Sequence, residues 1–222
     1  MDIFETMKAR HSVRTYNNRK IEPNVVKELH MLIDQCNKDS GLHIQLCLDE
    51  PNAFDGFMAH YGKFNNVKNY IALIGKKSKD FDEKIGYYGE KIVLKATELG
   101  LGSCWVAMSY SKSKCSAAID KDEKLICVIS LGYFDKDGVP HKTKSIEELS
   151  RVNSNMPDWF RSGMEAAQLA PTAMNQQKFL FILDGNKVTA KAGMGFYAKL
   201  DLGIAKYHFE LGAGIENFKW SN

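Results

Sequence analysis

Apolar residues that recur every three or four positions predict the helices of this chain. The first helix, over 2–10, carries three apolar residues at helical spacing. A second begins at Pro23, which suits the first turn of a helix, and is broken by Gly41. Ser145 is placed to form a capping box with Glu148 at the start of a short helix. Longer amphipathic helices are predicted over 82–101, 158–170 and 199–214.

Short apolar runs bounded by turn residues predict the strands. They cover 43–48, 70–75, 125–134, 178–183 and a terminal stretch at 217–220. The run at 125–134 is almost uninterrupted, which is typical of a strand in the centre of a sheet. The aromatic segment 54–64 follows neither pattern and receives no assignment.

Two of the predicted helices resemble one another in sequence. At an offset of 112 residues, five positions match: Ile92, Glu98, Leu99, Gly100 and Gly102 with Ile204, Glu210, Leu211, Gly212 and Gly214. Two unrelated amphipathic helices with similar ends explain this match equally well. The similar order of elements around them favours two related halves, which we place at 1–152 and 153–222.

Composition and charge exclude several classes of protein. The chain has 222 residues, of which 44% are hydrophobic and 26% charged, as in an ordinary globular protein. Its net charge of +3 is spread along mixed-charge stretches, so no nucleic-acid partner is expected. The chain shows neither the apolar run of a signal peptide nor a membrane span, and we expect a soluble, cytoplasmic protein without a membrane partner.

Cysteine and histidine spacing gives no sign of a metal site. The five cysteines form no C-x-x-C pair, which favours reduced thiols over a disulfide framework or a zinc knuckle. The six histidines form no ligand spacing, so no metal is expected. No nucleophile motif occurs either, and we nominate no catalytic side chain.

Three short segments carry polar groups suited to binding. Residues 10–14 read RHSVR, and their alternating basic and hydroxyl side chains could hold an anion, although a solvated basic turn is the simpler interpretation. Residues 170–177, APTAMNQQ, offer amides that could read a heteroaromatic ring, or form a plain connector. Residues 100–105, GLGSCW, close a helix instead of opening one, so they are not a Rossmann fingerprint.

Together these segments resemble the nitroreductase family of flavoenzymes. The resemblance rests on RHSVR after the first helix, LGLGSCW after a long helix, LGYF followed by the basic HKTK and a short helix, and AAQLAPTAMNQQKF. It covers most of the chain, but the Pro-Thr-x-x-Asn turn stands near 171 instead of after the second helix. The sequence therefore looks like a two-half branch in which one chain imitates the family dimer.

The resemblance implies an α+β fold with two pseudo-symmetric halves, each an antiparallel or mixed sheet flanked by helices. It also implies FMN as cofactor, held where the two halves meet. The phosphate and ribityl chain would contact Arg10, Ser12 and the loop of Lys142 and Lys144, and Arg14 would lie near the pyrimidine edge. His11 stands where the family more often has Arg.

The resemblance also assigns residues to the flavin ring. Those expected to contact it are Pro171, Thr172, Ala173, Asn175 and Gln177. Leu101, Gly102 and Ser103 would bring backbone close to the reactive nitrogen, with Gly102 leaving room because it has no Cβ.

The function implied is an FMN-dependent NAD(P)H oxidoreductase. NAD(P)H and a small electron-poor acceptor, such as a nitroaromatic or a quinone, would react in turn by a ping-pong mechanism. The alternative is a flavin-binding sensor or carrier without turnover, and a third possibility is a relic that binds no flavin. Each binding motif occurs once, which favours a monomer with an intrachain pseudo-dimer over a homodimer.

Overall fold

The computed structural model describes residues 2–153 and 155–221. Contacts divide the chain into two compact units. The sheet-1 unit comprises Ala9–Phe81 and Ile92–Pro140, and the sheet-2 unit comprises Met1–Lys8, Asp82–Lys91 and His141–Asn222. The chain segments of the two units therefore alternate along the sequence.

The sheet-1 unit is built on four antiparallel strands in the order β1-β2-β4-β3. Their bounds are Gln45–Cys47 for β1, Asn69–Lys76 for β2, Gly102–Val106 for β3 and Glu123–Gly132 for β4. Strand β4 pairs with both β2 and β3, so the prediction that it is central is confirmed.

The helices in this part of the chain are α2, Pro23–Ser40, and the short α3, Phe57–Tyr61. Gly41 ends α2 with φ 71°, a left-handed conformation that glycine adopts without steric cost, as its position predicted. The hydrophobic core lies on the central strands, where the paired residues Ile71 and Ile129 are fully buried.

The sheet-2 unit contains a mixed sheet in the order β5-β6-β7-β8. The strands are Ser150–Val152, Phe179–Asp184, Lys187–Ala192 and Lys219–Trp220; only β6 and β7 pair antiparallel, and the outer pairs are parallel. Its helices are α5, Ile146–Leu149, α6, Asp158–Gln168, and α7, Ala198–Ala213. The predicted capping box of Ser145 and Glu148 opens α5.

Aromatic side chains fill the core of the sheet-2 unit. Phe181 on β6 stacks on Phe209 of α7 with ring centroids 4.7 Å apart, and Phe160 of α6 meets Phe209 edge-on at 5.4 Å. Offset and edge-on pairs of this kind stabilise a core beyond the area that they bury. This packing holds α6 and α7 on one face of the sheet.

Each of the two remaining helices contains residues of both units. Helix α1 runs over Ile3–Ala9 and α4 over Phe81–Glu98. Within the sheet-2 unit, the first half of α4 touches α7 backbone to backbone. A Cβ on Gly86 would lie 2.0 Å from the carbonyl oxygen of Leu200, and one on Gly203 would lie 2.0 Å from that of Glu83. Only glycine fits at either position.

This contact is reciprocal, since Gly203 and Leu200 each lie 117 residues after Gly86 and Glu83. A reciprocal contact is what two equivalent helices make across a twofold axis. The 117-residue offset of this contact differs from the 112-residue offset of the sequence match. The division into related halves at 152/153 stays a prediction.

Two sheets and seven α-helices among the described residues confirm the predicted α+β class. Sequence patterns missed the helix α3 and the strands β3, β5 and β7. Among residues 2–153 and 155–221, no helix combines the length and the apolar character needed to cross a membrane.

Candidate functional site

The predicted site residues form two groups, one in each unit. The Arg-Ser group comprises Arg10, His11, Ser12 and Arg14 together with Leu101, Gly102 and Ser103, all in the sheet-1 unit. The Lys-turn group comprises Lys142 and Lys144 with Pro171, Thr172, Ala173, Asn175 and Gln177, all in the sheet-2 unit. Sequence analysis had instead assigned the two lysines to the same half as Arg10.

Backbone pairing brings the two parts of the Arg-Ser group together. Ser12 forms a parallel bridge with Ser103, the second residue of β3. The N–H of Val13 donates to the carbonyl oxygen of Ser103 over 2.9 Å. Ser12 and Val13 therefore extend the edge of sheet 1 beside β3.

A small cleft lies along this extended edge. Its volume is about 120 Å³, and Arg10, His11, Leu101, Gly102 and Ser103 are among the residues that line it. Complete small-molecule sites usually occupy about 300–1,000 Å³. The cleft therefore has room for one polar group of a larger ligand, such as a phosphate.

Two of the glycines around this cleft are required by the protein's own packing. A Cβ on Gly102 would lie 2.7 Å from Phe134, and one on Gly138 would lie 2.6 Å from the Cβ of His11. The space beside Gly102 that we expected a ligand to use is therefore occupied by the chain itself. Gly100 differs, because it has φ 77° and open space around it.

Positive charge and a hydroxyl surround the buried thiol of Cys104 in this group. Burial raises the pKa of Cys104, while the charge of Arg14, a hydrogen bond from Ser12 and the charge of Arg10 act to lower it. Arg10 itself is only 5% exposed. These groups give the edge of sheet 1 an electrostatic preference for an anion.

The remaining members of the Arg-Ser group lie nearer the surface. Arg14 is exposed, with its guanidinium 5.9 Å from the centre of the Phe64 ring. The Nδ1 atom of His11 lies 3.0 Å from the carbonyl oxygen of Ala9 and can donate to it. This hydrogen bond fixes the imidazole at the end of α1.

Hydrogen bonds join the two parts of the Lys-turn group. The buried amide of Gln177 accepts from the N–H of Lys144 at 2.8 Å and donates to the carbonyl oxygen of Lys142 at 2.8 Å. Asn175 donates to the same carbonyl oxygen at 2.9 Å. The Nζ of Lys144 lies 3.2 Å from the carbonyl oxygen of Gln176. Gln177 and Asn175 therefore position the lysine loop.

The turn itself has an unusual backbone. Met174, Asn175 and Gln177 have φ of 53°, 54° and 44°, which places three non-glycine residues in left-handed conformations. Each such residue costs on the order of 1–3 kcal/mol and persists only where the surroundings hold it. Backbone outliers of this kind concentrate at binding sites, so the turn is the part of this unit best suited to a specific ligand contact.

Asp201, on α7, holds the turn in place and was missed by sequence analysis. One carboxylate oxygen accepts from the N–H of Ala173 at 2.9 Å, and the other accepts from the amide of Gln176 at 2.7 Å. Burial raises the pKa of Asp201 to about 6, although these two hydrogen bonds act to lower it. Its position, three and four residues before the apolar Ile204 and Ala205, was the available signal, because a carboxylate on an apolar helix face needs a partner.

A larger cleft adjoins the Lys-turn group. It has a volume of about 510 Å³, and Lys144, Gln177 and Arg151 line it together with Lys178 and Lys191. Its lining also includes Glu148 and the apolar residues Leu149, Phe179 and Leu180. The volume falls within the usual range of small-molecule sites, and the cationic side chains favour an anionic ligand.

The two four-stranded sheets and the helices packed on them define an α+β protein. A family model described as "Putative TM nitroreductase" matches residues 2–213, and the chain belongs to this family. A comparison with curated proteins finds no match.

Solved structures of nitroreductases share the fold. A structure from Thermotoga maritima described as "a putative nitroreductase" is 24% identical with a TM-score of 0.67, over 96% of this chain and 83% of that one. An FMN-dependent nitroreductase from Clostridium difficile is 20% identical with a TM-score of 0.50, over 66% and 94%. A structure from Desulfovibrio desulfuricans described as "a putative nitroreductase in complex with fmn" is 14% identical with a TM-score of 0.54, over 71% of this chain and 99% of that one.

Proposed function

We propose that this protein is an FMN-dependent oxidoreductase that uses NAD(P)H to reduce electron-poor acceptors such as nitroaromatics or quinones. The observation that carries the proposal is the pairing of Ser12 and Val13 with Ser103 beside a small cleft that Arg10 lines. Family membership supports the reaction class, and the FMN bound to the Desulfovibrio relative supports the cofactor.

The donors of the Arg-Ser group fit the phosphate end of FMN. A guanidinium supplies several N–H donors in a fixed plane, and a hydroxyl adds a neutral donor, which together suit phosphate oxygens. Arg10 and Ser103 line a cleft with room for a group of that size. We therefore assign Arg10 and Ser12 to phosphate binding, and Arg14 to the polar edge of the ring.

The Lys-turn group would contribute through its lysines and its turn. Asn175 and Gln177 hold the loop backbone at Lys142, and Lys144 is fixed to the same turn by its own hydrogen bonds. Since the Gln177 amide is engaged within the protein, we assign it a positioning role. Pro171, Thr172, Ala173 and Asn175 remain the proposed contacts to the flavin ring.

Bound FMN would supply the hydride chemistry, and the protein would supply binding, orientation and electrostatics. The cationic side chains of the Arg-Ser group would favour negative charge on the cofactor and so adjust its redox potential. No acid or base side chain is needed for this role, and we assign none.

Steady-state kinetics test the proposal directly. NAD(P)H oxidation by the FMN-loaded protein should depend on a nitroaromatic or quinone acceptor and give parallel lines in double-reciprocal plots. Intersecting lines would contradict the ping-pong order. Firm FMN binding without any NAD(P)H oxidation would instead identify a flavin sensor or carrier.

A further inference from the structure

Two of the five cysteines meet at the edge of sheet 1. Cys47, the last residue of β1, is 8% exposed, and Cys115 is partly buried just after the turn Lys112–Lys114. Both side chains belong to the same hydrophobic cluster, and their thiols are hydrogen-bonded to each other. The other cysteines, Cys36, Cys104 and Cys127, are buried.

Three donors converge on the sulfur of Cys115. They are the S–H of Cys47, the O–H of Tyr70 and the backbone N–H of Ala117. The hydrogen bond from Cys47, followed by those from Tyr70 and Ala117, lowers the pKa of Cys115 to about 6, although burial and the charge of Glu50 oppose the change. The same contact, together with burial, raises the pKa of Cys47.

Further hydrogen bonds attach the loop after Cys115 to β1 and β2. Tyr70 is the β2 residue that pairs with Cys47, and its hydroxyl oxygen accepts from the N–H of Ser116 at 2.9 Å. Gln45 clamps Ala118 on the other side, donating to its carbonyl oxygen at 2.6 Å and accepting from its N–H at 3.0 Å. The residues that follow Cys115 in the chain are thus hydrogen-bonded to β1 and β2.

We propose that Cys47 and Cys115 form a reversible dithiol–disulfide site that reacts with small hydroperoxides. A stabilised thiolate next to a second thiol is the arrangement that redox-active cysteine pairs use, with one sulfur attacking the oxidant and the other resolving the product. Cys115 takes the attacking role because it is the less buried of the two residues and its sulfur receives the three donors. Cys47 is the resolving thiol.

The chemistry balances in two steps. The Cys115 thiolate attacks one oxygen of hydrogen peroxide, the O–O bond breaks, and the departing hydroxide is protonated to water, which leaves a sulfenic acid. The sulfur of Cys47 then attacks the sulfur of Cys115, the S–O bond breaks, and hydroxide leaves with the Cys47 proton as a second water. Two thiols have lost two electrons to one peroxide, and a small thiol reductant reverses the change.

Mass spectrometry of the full chain tests this proposal. The reduced protein is treated with about one equivalent of hydrogen peroxide, denatured with N-ethylmaleimide present, and mapped by proteolysis. We expect a peptide linking Cys47 to Cys115, a mass about 2 Da below that of the reduced chain before alkylation, and three labelled cysteines. Five labelled cysteines, or a disulfide between other residues, would overturn the proposal.

Variants separate the two roles. Cys47→Ser should leave a sulfenic acid on Cys115 that dimedone captures, whereas Cys115→Ser should leave Cys47 unreacted. Cys127→Ala, which changes a buried cysteine elsewhere in the same sheet, should still form the disulfide. If a variant fails to fold, the peptide map of the unmodified chain still decides the question. An oxygen adduct on Cys115 beside a free Cys47 in that map would exclude the disulfide.

Discussion

Arg10 is a charged side chain that is almost completely buried, at the end of α1 and beside the start of β3. Arg10 lines the small cleft of the Arg-Ser group, and a guanidinium offers several N–H donors in one plane that suit phosphate oxygens. We therefore assign to Arg10 the main contact with the FMN phosphate, and it is the most informative residue to change.

Replacing Arg10 with alanine should weaken FMN binding. Loss of one charge-assisted hydrogen-bonding group costs about 1.5–3 kcal/mol, which corresponds to a roughly 10- to 150-fold higher Kd. Fluorescence titration with FMN measures the change. Arg19→Ala is the matched control, because that arginine stacks on Tyr133 at 4.1 Å and pairs with Glu22 on the surface. Equal affinity of Arg10→Ala and the unmodified protein would refute the phosphate assignment.

Asp201 should make stability depend on pH. Its pKa is about 6 in the folded protein against an ordinary value of 3.8, so the folded state binds more protons between these values. The free energy of unfolding should therefore fall as pH rises from about 4 to about 6, by on the order of 3 kcal/mol. Urea unfolding at several pH values measures this trend.

The variant Asp201→Asn should remove that part of the pH dependence. It should also loosen the 172–177 turn at neutral pH, because an amide cannot accept from both Ala173 and Gln176 as the carboxylate does. Faster hydrogen exchange at the Ala173 amide would report the loosening. Asp184→Asn, at an exposed aspartate of the same unit, is the control, and an unchanged pH profile in Asp201→Asn would disprove the assignment.

Among the elements, the contact between α4 and α7 leaves the least room for change. Gly203→Ala would push a methyl group to within 2.0 Å of the Glu83 carbonyl oxygen, so the helices must separate. We expect the free energy of unfolding to drop by about 3 kcal/mol or more, as for severe overpacking. Gly56→Ala serves as control, because no atom lies within 4 Å of the added methyl group. Similar urea midpoints for both variants would show that the contact between α4 and α7 has room for a methyl group.

Long elements with strong periodicity could be predicted from sequence, and short or polar ones could not. The strand β4 and the helices α2, α4 and α7 appear near their predicted positions because each buries a continuous apolar pattern. The strand β7, KVTAKA, has few large apolar residues, and β3 is only five residues long and follows directly on a helix end. Such segments become strands because of the strands that they pair with, and a short stretch of sequence does not show those partners.

The same holds for the proposed site residues: those in short motifs could be predicted from sequence, and those that act through distant contacts could not. Arg10, Ser12 and the 171–177 turn were nominated from short motifs that resemble segments of the family, and their contact with a flavin stays a prediction. Asp201 was missed because its role depends on a hydrogen bond from Gln176, which lies 25 residues earlier in the chain. Likewise, the role of Gln177 in holding Lys144 follows from a hydrogen bond across 33 residues.

At the scale of the whole molecule, each proposed binding motif occurs once per chain. We therefore predict that one chain binds one FMN and keeps it on dilution. Light scattering combined with flavin absorbance across a dilution series measures both quantities. Loss of flavin in step with a halving of the particle mass would contradict the prediction, since binding would then need two chains.

The most direct test of the proposed function is a visible spectrum recorded in two stages. The protein is incubated with excess FMN, passed through a desalting column, and measured without oxygen before and after addition of NADPH or NADH. We expect flavin absorption close to one equivalent per chain, bleached by at least one of the two donors and restored by a quinone. A colourless protein, or bound flavin that neither donor bleaches, would contradict it.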